Sequence, residues 1–427
     1  MPLVLKKPLR WCRRLLSMVS LLRKVACVRV RYKRLKIKCN ARLEKGESLK
    51  VLFLVSEAAK WKMQSLYDTM LESRFFSPMV AISCYGDWWN HPEYENMFEA
   101  TKQFFHRQNV QYVEVVSFTT MKHIDIASFK PDIVFYDQPY NWPRQYMPYE
   151  ISKYALTCYI PYYLPTQEIL PDHYGTELHR TLTFFFEVND LWANEYKKRM
   201  SSFFCAPKIL GLGNTFLDYY ESAKLGRKGM EYIIYAPHWS FDHPRNVNRN
   251  NLSTFLVNGR TILEFAKQHQ EFHWVFKPHP ALRLRLIASG AWTEEEVDEY
   301  YSTWWSFAER RDGSDYLDLF ADSKVMITDC ASFLAEYPPL GGAVIHLISS
   351  SCKDPPSDIN KVLYDSFYKV HNIEEMLKVF EDVIVKGLDP KYRQRMNAIE
   401  ALHLARGGAA QRIADFIVNE FSNLRTK

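Results

Sequence analysis

The sequence predicts an α/β fold in which two Rossmann-like domains face a cleft, preceded by a basic amphipathic helix. Three observations carry this prediction. Apolar runs typical of strands buried on both faces alternate with helix-length stretches, which indicates βαβ units with parallel pairing. The same order of elements restarts in the second half of the chain. Positive charge is concentrated at the start, because residues 1–50 hold 16 Lys and Arg against two acids, whereas the rest of the chain has a net charge of −8.

Length and composition place the chain among folded globular proteins. Its 427 residues allow two or three domains at roughly 150 residues each. The 47% of hydrophobic residues, with only 15 Gly and 21 Pro, exclude disordered and collagen-like proteins. The eight cysteines show no C-x-x-C and no zinc-finger spacing, so we expect a reducing compartment and no metal site.

Residues 1–48 are predicted to form a basic amphipathic segment. Leu15, Met18, Leu22 and Val25 recur at helical spacing, and the longest uncharged run is eight residues, far short of the roughly 20 that span a bilayer. We expect this helix to lie on an anionic membrane surface, at its cytoplasmic face. A solvated basic arm and an arm that grips a polyanionic product are the alternatives. Nucleic acid is not an expected partner, because the body of the chain is acidic.

Residues 49–225 are predicted to form the amino-terminal Rossmann-like domain, and residues 226–405 the second. A closing helical segment covers residues 406–427. The predicted strands of the first domain are 51–55, 79–83, 110–116, 132–136, 158–164 and 183–188. Those of the second are 232–235, 272–276, 324–328 and 343–347.

Three segments of the second domain place polar side chains directly after a predicted strand. In chain order the candidate residues are His238 and His243, then Lys277 and His279, then Asp329, Ser332 and Glu336. Because the carboxyl ends of parallel strands meet at one edge of a sheet, these side chains should converge. A lysine, protonatable histidines and the amino end of a helix at Ser332 would together bind a phosphate or pyrophosphate. No Walker sequence and no G-x-G-x-x-G occurs, which argues against a P-loop NTPase and a dehydrogenase.

Four ordered motifs of the second half resemble one family, the CDP-glycerol glycerophosphotransferases of teichoic acid and capsule synthesis. The motifs are Tyr235-Ala236-Pro237, Lys277-Pro278-His279-Pro280, Asp329-x-x-Ser332-x-x-x-Glu336-Tyr337 and Gly408-Ala409-Ala410-Gln411-Arg412-Ile413. The resemblance implies a GT-B fold, a CDP-glycerol or CDP-ribitol donor bound by the second domain and an acceptor bound by the first. It also implies no obligatory metal or other cofactor, and peripheral attachment to the membrane.

This chain departs from the family pattern at three places. His238-Trp239-Ser240 stands where many members have Thr and then Trp-Arg, and Ala331 replaces the first Ser of a Ser-Ser pair. A Trp-His-Gly-Thr motif, whose His is the family's proposed base, is replaced by the sequence of residues 159–164. The chain therefore looks like a divergent branch, and the base cannot be carried over.

The expected reaction transfers a polyol-phosphate unit from a CDP-linked donor to an acceptor hydroxyl and releases CMP. The resemblance implies that His279 and Ser332 contact the phosphates of the donor. Lys277, Asp329, Glu336 and His243 complete the expected donor site. His238 is the first candidate for the base, followed by His243. In the first domain Asp137 is a catalytic candidate, and Gln138, Tyr140 and His173 are candidates for binding the acceptor. The expected acceptor is a polyol-phosphate or a glycan, which is lipid-linked in one version of the hypothesis.

Two other functions fit the same residues. The first is a GT-B glycosyltransferase that uses a CMP- or UDP-sugar in surface polysaccharide synthesis, since fold alone does not settle the donor. The second is a scaffold without activity in a polymer-assembly complex at the membrane.

Overall fold

The computed structural model describes residues 6–84, 86, 92–120, 122–166, 175–200, 207–226, 228–246, 251–311, 316–340, 342–352 and 356–422. The side chains of residues 6–15, 92 and 93 lie outside this description.

Within the described residues the strands are β1 (Leu49–Val55), β2 (Phe76–Ile82), β3 (Tyr112–Glu114), β4 (Val116–Ser117), β5 (Lys122–His123), β6 (Ile133–Tyr136), β7 (Leu156–Tyr159), β8 (Phe184–Phe186), β9 (Lys208–Leu210), β10 (Tyr232–Ala236), β11 (Trp274–Phe276), β12 (Glu309–Arg310), β13 (Ser323–Thr328), β14 (Ala343–Leu347) and β15 (Tyr368–Val370).

The α-helices are α1 (Lys6–Glu44), α2 (Gln64–Glu72), α3 (Pro92–Arg107), α4 (Pro148–Ile151), α5 (Glu177–Thr181), α6 (Asp190–Arg199), α7 (Tyr220–Leu225), α8 (Phe255–Gln268), α9 (Ala281–Ser289), α10 (Glu294–Trp305), α11 (Leu317–Ala321), α12 (Phe333–Glu336), α13 (Lys361–Asp365), α14 (Ile373–Phe380), α15 (Tyr392–Ala401) and α16 (Ala409–Ser422). No helix among the described residues is long and apolar enough to cross a membrane.

The chain forms two compact units. Unit 1 contains Met1–Tyr162, Ile169–Asp218 and Gly408–Lys427, and unit 2 contains Tyr163–Glu168 and Tyr219–Gly407. The chain thus enters unit 2 briefly after β7 and returns to unit 1 for its last helix.

The sheet of unit 1 has seven parallel strands in the order β3-β2-β1-β6-β7-β8-β9. The strands that form its centre are almost entirely buried, because the apolar runs of β1 and β6 are covered on both faces. The strand order changes direction between β1 and β6, and ligands of open α/β sheets bind beside such a switch point.

The sheet of unit 2 has six parallel strands in the order β12-β11-β10-β13-β14-β15. Its switch point lies between β10 and β13. Both units therefore have Rossmann-like topology, which confirms the predicted fold class.

Several predicted strands are shorter or displaced in the structure. The predicted strand 158–164 is β7, which begins two residues earlier and ends at Tyr159, because Pro161 cannot donate to a sheet ladder. The predicted strand 110–116 is divided into β3 and β4.

The predicted amino-terminal helix is present as α1. Val25, the last residue of its predicted stripe, is 1% exposed, and Val28, Leu35 and Cys39 further along the helix are at most 3% exposed. The expectation that Val25 faces a membrane is therefore wrong, whereas Met18 of the same stripe is 45% exposed.

Ion pairs join α1 to the rest of unit 1. Asp132, 1% exposed, lies 2.8 Å from Lys38 Nζ and 3.1 Å from Arg42 Nε. Near the other end of the chain, Lys36 Nζ lies 2.7 Å from Glu420 Oε1. The helix is thus a part of unit 1 and not a solvated arm.

The Gly-Ala-Ala-Gln-Arg-Ile motif forms the start of α16 and docks it on unit 1. Asp218 accepts hydrogen bonds from the backbone N–H groups of Ala409 (2.7 Å) and Ala410 (2.9 Å). Gly213 has a φ of 107°, and a Cβ there would lie 2.8 Å from the Cβ of Ala409. This glycine is therefore required for helix packing.

Candidate active site

The carboxyl ends of β11, β10 and β13 bring together the three polar segments of unit 2. These strands are neighbours in the sheet, with Tyr235 opposite Phe276 on one side and Ala236 opposite Thr328 on the other. The loops that follow them leave the sheet at one edge, at the switch point of the unit.

Asp329 joins two of these loops. Its Oδ1 accepts a hydrogen bond from the backbone N–H of His238 (2.6 Å), and its Oδ2 accepts from Thr254 N (2.7 Å), Thr254 Oγ1 (3.1 Å) and Ser253 Oγ (3.2 Å). Burial raises the pKa of Asp329 to about 6, although these hydrogen bonds oppose the shift. Both oxygens of Asp329 are occupied, so its part is to hold the His238 loop in place.

The rings of His238 and His279 pack edge to face beside these strand ends. Their ring centroids lie 5.2 Å apart, and the backbone N–H of His279 donates to the carbonyl of Pro237 at 3.0 Å. Nδ1 of His238 accepts from the Ser240 N–H (3.2 Å), and Nδ1 of His279 accepts from the Ala281 N–H (3.1 Å). Nδ1 of His238 also lies 2.7 Å from Ser240 Oγ. A neutral ring with an accepting Nδ1 carries its hydrogen on Nε2, and this is the tautomer that the two backbone N–H groups favour.

Two expectations about these histidines are therefore wrong. Burial lowers the pKa of His279 to about 4, so the ring is neutral near pH 7 and does not carry the expected positive charge. Burial, together with the neighbouring His279, lowers the pKa of His238 to about 3, and its Nδ1 lone pair is already used by Ser240. The geometry thus does not support His238 as the catalytic base.

Lys277 and Glu336 are connected through Tyr316. Lys277 is 7% exposed, its Nζ donates to the Arg311 carbonyl at 3.2 Å, and it lies 5.3 Å from the centroid of the Tyr316 ring. The Tyr316 hydroxyl in turn donates to the carboxylate of Glu336, which is 3% exposed, and the Tyr220 hydroxyl donates to the Glu336 carbonyl at 2.6 Å. The donor-binding role expected for Glu336 is thus wrong, because its carboxylate is paired in the interior.

Ser332 precedes α12, a single helical turn, and its side chain does not cap that turn. The Ser332 Oγ is half-buried and lies 3.5 Å from the Sγ of Cys330. Burial raises the pKa of Cys330 to about 11, so it is a thiol at neutral pH and a poor nucleophile.

His243 lies further along the same loop as His238. Its Nδ1 accepts a hydrogen bond from the Arg245 N–H at 3.3 Å, and its ring lies beside Phe241, with centroids 6.4 Å apart.

Two cavities of unit 2 border these segments, and the sequence patterns predict neither of them. One, of about 530 Å³, begins at Asp329 and Ala331 and extends to His346, Tyr364 and Lys369. The other, of about 460 Å³, is lined by His279, and by Arg283, Asp298, Tyr301 and Trp305. The signal for the first was a histidine inside an otherwise apolar strand, since His346 belongs to β14.

The candidates of unit 1 follow β6. Asp137 is 1% exposed and accepts from the Ser56 N–H at 2.6 Å. The Gln138 side chain accepts from the Tyr140 N–H and donates to the Tyr140 carbonyl, both at 2.5 Å. The acceptor-binding role expected for Gln138 is wrong, because its amide is used to close its own loop. Tyr140 is half-buried, and His173 lies outside the described residues.

Within the described part of the chain, no group of three or more His, Cys, Asp or Glu side chains is arranged to hold a metal ion.

No family model and no curated protein sequence matches the chain. Several solved structures have a similar fold. A Listeria monocytogenes protein described as a UDP-N-acetylglucosamine 2-epimerase is 15% identical, with a TM-score of 0.56 over 88% of this chain and 97% of that one. The UDP-GlcNAc 2-epimerase from Neisseria meningitidis, bound to UDP-GlcNAc, is 16% identical, with a TM-score of 0.55 over 87% and 100%. The Methanocaldococcus jannaschii UDP-GlcNAc 2-epimerase, in complex with UDP-GlcNAc and UDP, is 13% identical, with a TM-score of 0.53 over 87% and 99%.

At such identities the likeness shows the fold alone. The predicted GT-B fold is confirmed, whereas the narrower resemblance to the CDP-glycerol glycerophosphotransferases stays a prediction.

Proposed function

We propose that the protein is a transferase that moves a group from a nucleotide-activated donor to an acceptor hydroxyl, with the donor bound by unit 2. The observation that carries this proposal is the cluster of His238, His279 and Asp329 at the switch point of the unit 2 sheet, beside a cavity of about 530 Å³. A cavity of this size suits a nucleoside, and ligands of such sheets bind at this edge.

In this proposal the two histidines act as hydrogen-bond donors to the leaving phosphate. Each ring has its hydrogen on Nε2, and buried donors aimed at developing negative charge are worth more than donors in water. An anion beside His279 would also favour its protonated form, which would supply the positive charge that the free protein lacks. Ser332 would add a hydroxyl donor.

Two donor classes fit, and we place sugar nucleotides first. Two of the solved structures with this fold hold UDP-GlcNAc, which makes a UDP- or CMP-sugar the first donor to test. CDP-glycerol or CDP-ribitol comes second, and the four ordered motifs of the second half favour it. In either case the nucleotide leaves and the acceptor, a polyol-phosphate or glycan, gains the transferred group.

We also propose that the protein works at an anionic membrane surface and that the outer face of α1 contacts the lipid headgroups. Val19, Val30 and Ile37 are 61–72% exposed and, at spacings of 11 and 7 residues, lie along one line of the helix. Arg23 and Lys33 are exposed beside this line. An apolar line flanked by basic side chains is typical of helices that lie in the lipid headgroup region.

The test compares donors on the full chain. Thermal unfolding is followed with UDP-GlcNAc, CMP-sialic acid, CDP-glycerol and CDP-ribitol. Release of UDP or CMP is then measured with His279→Ala and, as the control, with His106→Ala, since His106 is exposed on α3. We expect one donor class to raise the melting temperature and to be turned over, with turnover lost in His279→Ala and retained in His106→Ala.

The outcomes separate the hypotheses. Stabilisation and turnover by CDP-polyols alone would replace the first donor class with the second. Binding without nucleotide release, with glycerol and with membrane extract as acceptors, would favour the scaffold. No stabilisation by any of the four compounds would overturn the proposal.

A further inference from the structure

The smaller cavity of unit 2 lies beside His279 and is not used by the proposed function. Its volume is about 460 Å³, and it is bordered by residues 278–280 after β11, by Arg283 of α9 and by one face of α10. All of these residues belong to unit 2, so the cavity is formed within one unit.

Four side chains of α10 line this cavity. Asp298, Tyr301, Ser302 and Trp305 lie three, one and three positions apart, a spacing that places them on one face of the helix. Tyr301 is 7% exposed, Trp305 is half-buried and Ser302 is exposed. The helix therefore contributes two aromatic rings, a hydroxyl group and a carboxylate to the cavity wall.

The two aromatic rings of the wall meet nearly at a right angle. The ring centroids of Tyr301 and Trp305 lie 5.4 Å apart at an interplanar angle of 86°, and Tyr301 makes a similar contact with Phe276 of β11, at 5.2 Å and 83°. The guanidinium carbon of Arg310 lies 4.1 Å from the centroid of the Trp305 ring. These contacts hold both rings in place, so the wall is formed before a ligand binds.

The indole nitrogen of Trp305 is buried and has no hydrogen-bond partner among the described residues. Trp304 shares this property, but it is 0% exposed, packs against Tyr235 and Phe276 in the core and lines neither cavity of the unit. An unpaired nitrogen alone therefore does not mark a site. At Trp305 it coincides with a cavity, and because buried donors are normally paired, this indicates a partner that occupies the cavity.

The charges around the cavity are balanced before a ligand binds. Nη2 of Arg283 lies 2.8 Å from Glu294 Oε1 and 2.8 Å from Asp298 Oδ1, so one guanidinium group meets two carboxylates. His279 is neutral at pH 7, because burial lowers its pKa to about 4. The cavity thus offers no net positive charge to an anion such as phosphate.

The same wall suits a neutral polyhydroxy compound. A saccharide has C–H groups that pack on aromatic rings, and its hydroxyl groups both donate and accept hydrogen bonds. Asp298 would accept from these hydroxyls, while the Trp305 N–H and Arg283 would donate to them. A purely apolar ligand would leave the Trp305 N–H unpaired, which is unfavourable for a buried donor.

We propose that the 460 Å³ cavity of unit 2 binds a neutral saccharide or polyol, with Tyr301 and Trp305 as its aromatic wall and Asp298 as its hydroxyl acceptor. Because His279 borders the cavity, the bound compound lies next to the ring that, in the proposed function, donates to the leaving phosphate. Two sources supply such a compound, the transferred group of the donor and the acceptor. The inference goes beyond the proposed function and does not depend on it.

The test uses saturation-transfer NMR on the full chain with N-acetylglucosamine, glucose and ribitol. We expect transfer from aromatic protons of the protein to C–H protons of at least one of these compounds. Trp305→Phe keeps an aromatic ring and removes the N–H, so the dissociation constant should rise by about 2- to 10-fold. Trp305→Ala also removes the aromatic wall and should abolish binding.

Two further variants sharpen the comparison. Asp298→Asn keeps the shape of the side chain and removes its charge, and should weaken binding by roughly tenfold. Trp292→Phe is the matched control, because Trp292 also has an arginine over its ring, Arg260 at 4.4 Å, and lies outside the cavity. It should bind as the wild type does. Circular dichroism checks that each variant is folded.

Competition with the donor that stabilises the wild type separates the two sources. Loss of the saccharide signal assigns the site to the transferred group, and an unchanged signal assigns it to the acceptor, so both results uphold the site. No transfer to any of the three compounds, or equal binding by the wild type and both Trp305 variants, would overturn the inference. Displacement by inorganic phosphate would overturn it as well, since the site would then prefer an anion. A wild type that no donor stabilises would overturn the proposed function and leave this site in place.

Discussion

The imidazole rings of His238 and His279 pack edge to face at a centroid distance of 5.2 Å, and a backbone N–H donates to Nδ1 of each ring, which favours the tautomer with its hydrogen on Nε2. Both rings are neutral at pH 7, so this pair of donors has no net charge until a ligand arrives. This arrangement makes ligand binding and protonation depend on each other.

Nucleotide binding should therefore be accompanied by proton uptake. His279, whose pKa is about 4 in the free protein, is neutral at pH 7, and a bound phosphate would raise that pKa. Affinity should rise as the pH falls from 7 towards 5, by at most about tenfold per pH unit for one proton. Calorimetry in buffers of different ionisation enthalpy measures the uptake, and His279→Ala should remove it. Equal uptake in His279→Ala would assign the proton to another group.

The hydrogen bond between Tyr316 and Glu336 should contribute to stability and not to donor binding. Tyr316→Phe leaves a buried carboxylate oxygen without its donor, which costs about 1–3 kcal/mol of the free energy of unfolding. Urea denaturation measures this loss. Tyr392→Phe is the control, since Tyr392 is 51% exposed. Thermal stabilisation by the donor should stay the same in both variants, and its loss in Tyr316→Phe would return Glu336 to the donor site.

The outer face of α1 should bind anionic vesicles. Replacing Val30 and Ile37 together with Glu removes apolar contact and adds negative charge, so sedimentation with phosphatidylglycerol-containing vesicles should fall at least several-fold, whereas vesicles of phosphatidylcholine alone should bind weakly throughout. Val257→Glu is the control, because Val257 is 82% exposed on α8. Unchanged sedimentation of the double variant would exclude this face as the membrane contact.

The positions of the candidate residues followed from local patterns. The apolar runs of β1, β6, β10 and β13 are buried strands, and a polar residue directly after such a run lies at the carboxyl edge of the sheet. For this reason the sequence predicts Asp137, His238, His279 and Asp329 as candidates without reference to their partners. Glu187 carries the same pattern after β8 but is not among the predicted candidates.

The roles of the same residues did not follow from those patterns, because a role depends on which atoms are already bonded. Glu336 and Gln138 were predicted to bind ligands, yet their polar atoms are used inside the protein. The helical pattern places Val25 in a membrane-facing stripe, yet Val25 is 1% exposed. Burial also removes the positive charge expected for His279, because it lowers the pKa of the ring. This burial depends on all the residues around the ring in space, which the local sequence does not reveal.

The amino-acid sequence by itself determined the two Rossmann-like units, the basic helix and the strand ends that carry the chemistry, because periodicity and short turns are local properties. Tertiary structure alone decided which residues of α1 are buried and which polar atoms at the strand ends are already bonded. Those facts depend on contacts between residues 80 or more positions apart, such as Ser56 with Asp137 and His238 with Asp329, and local patterns do not encode them.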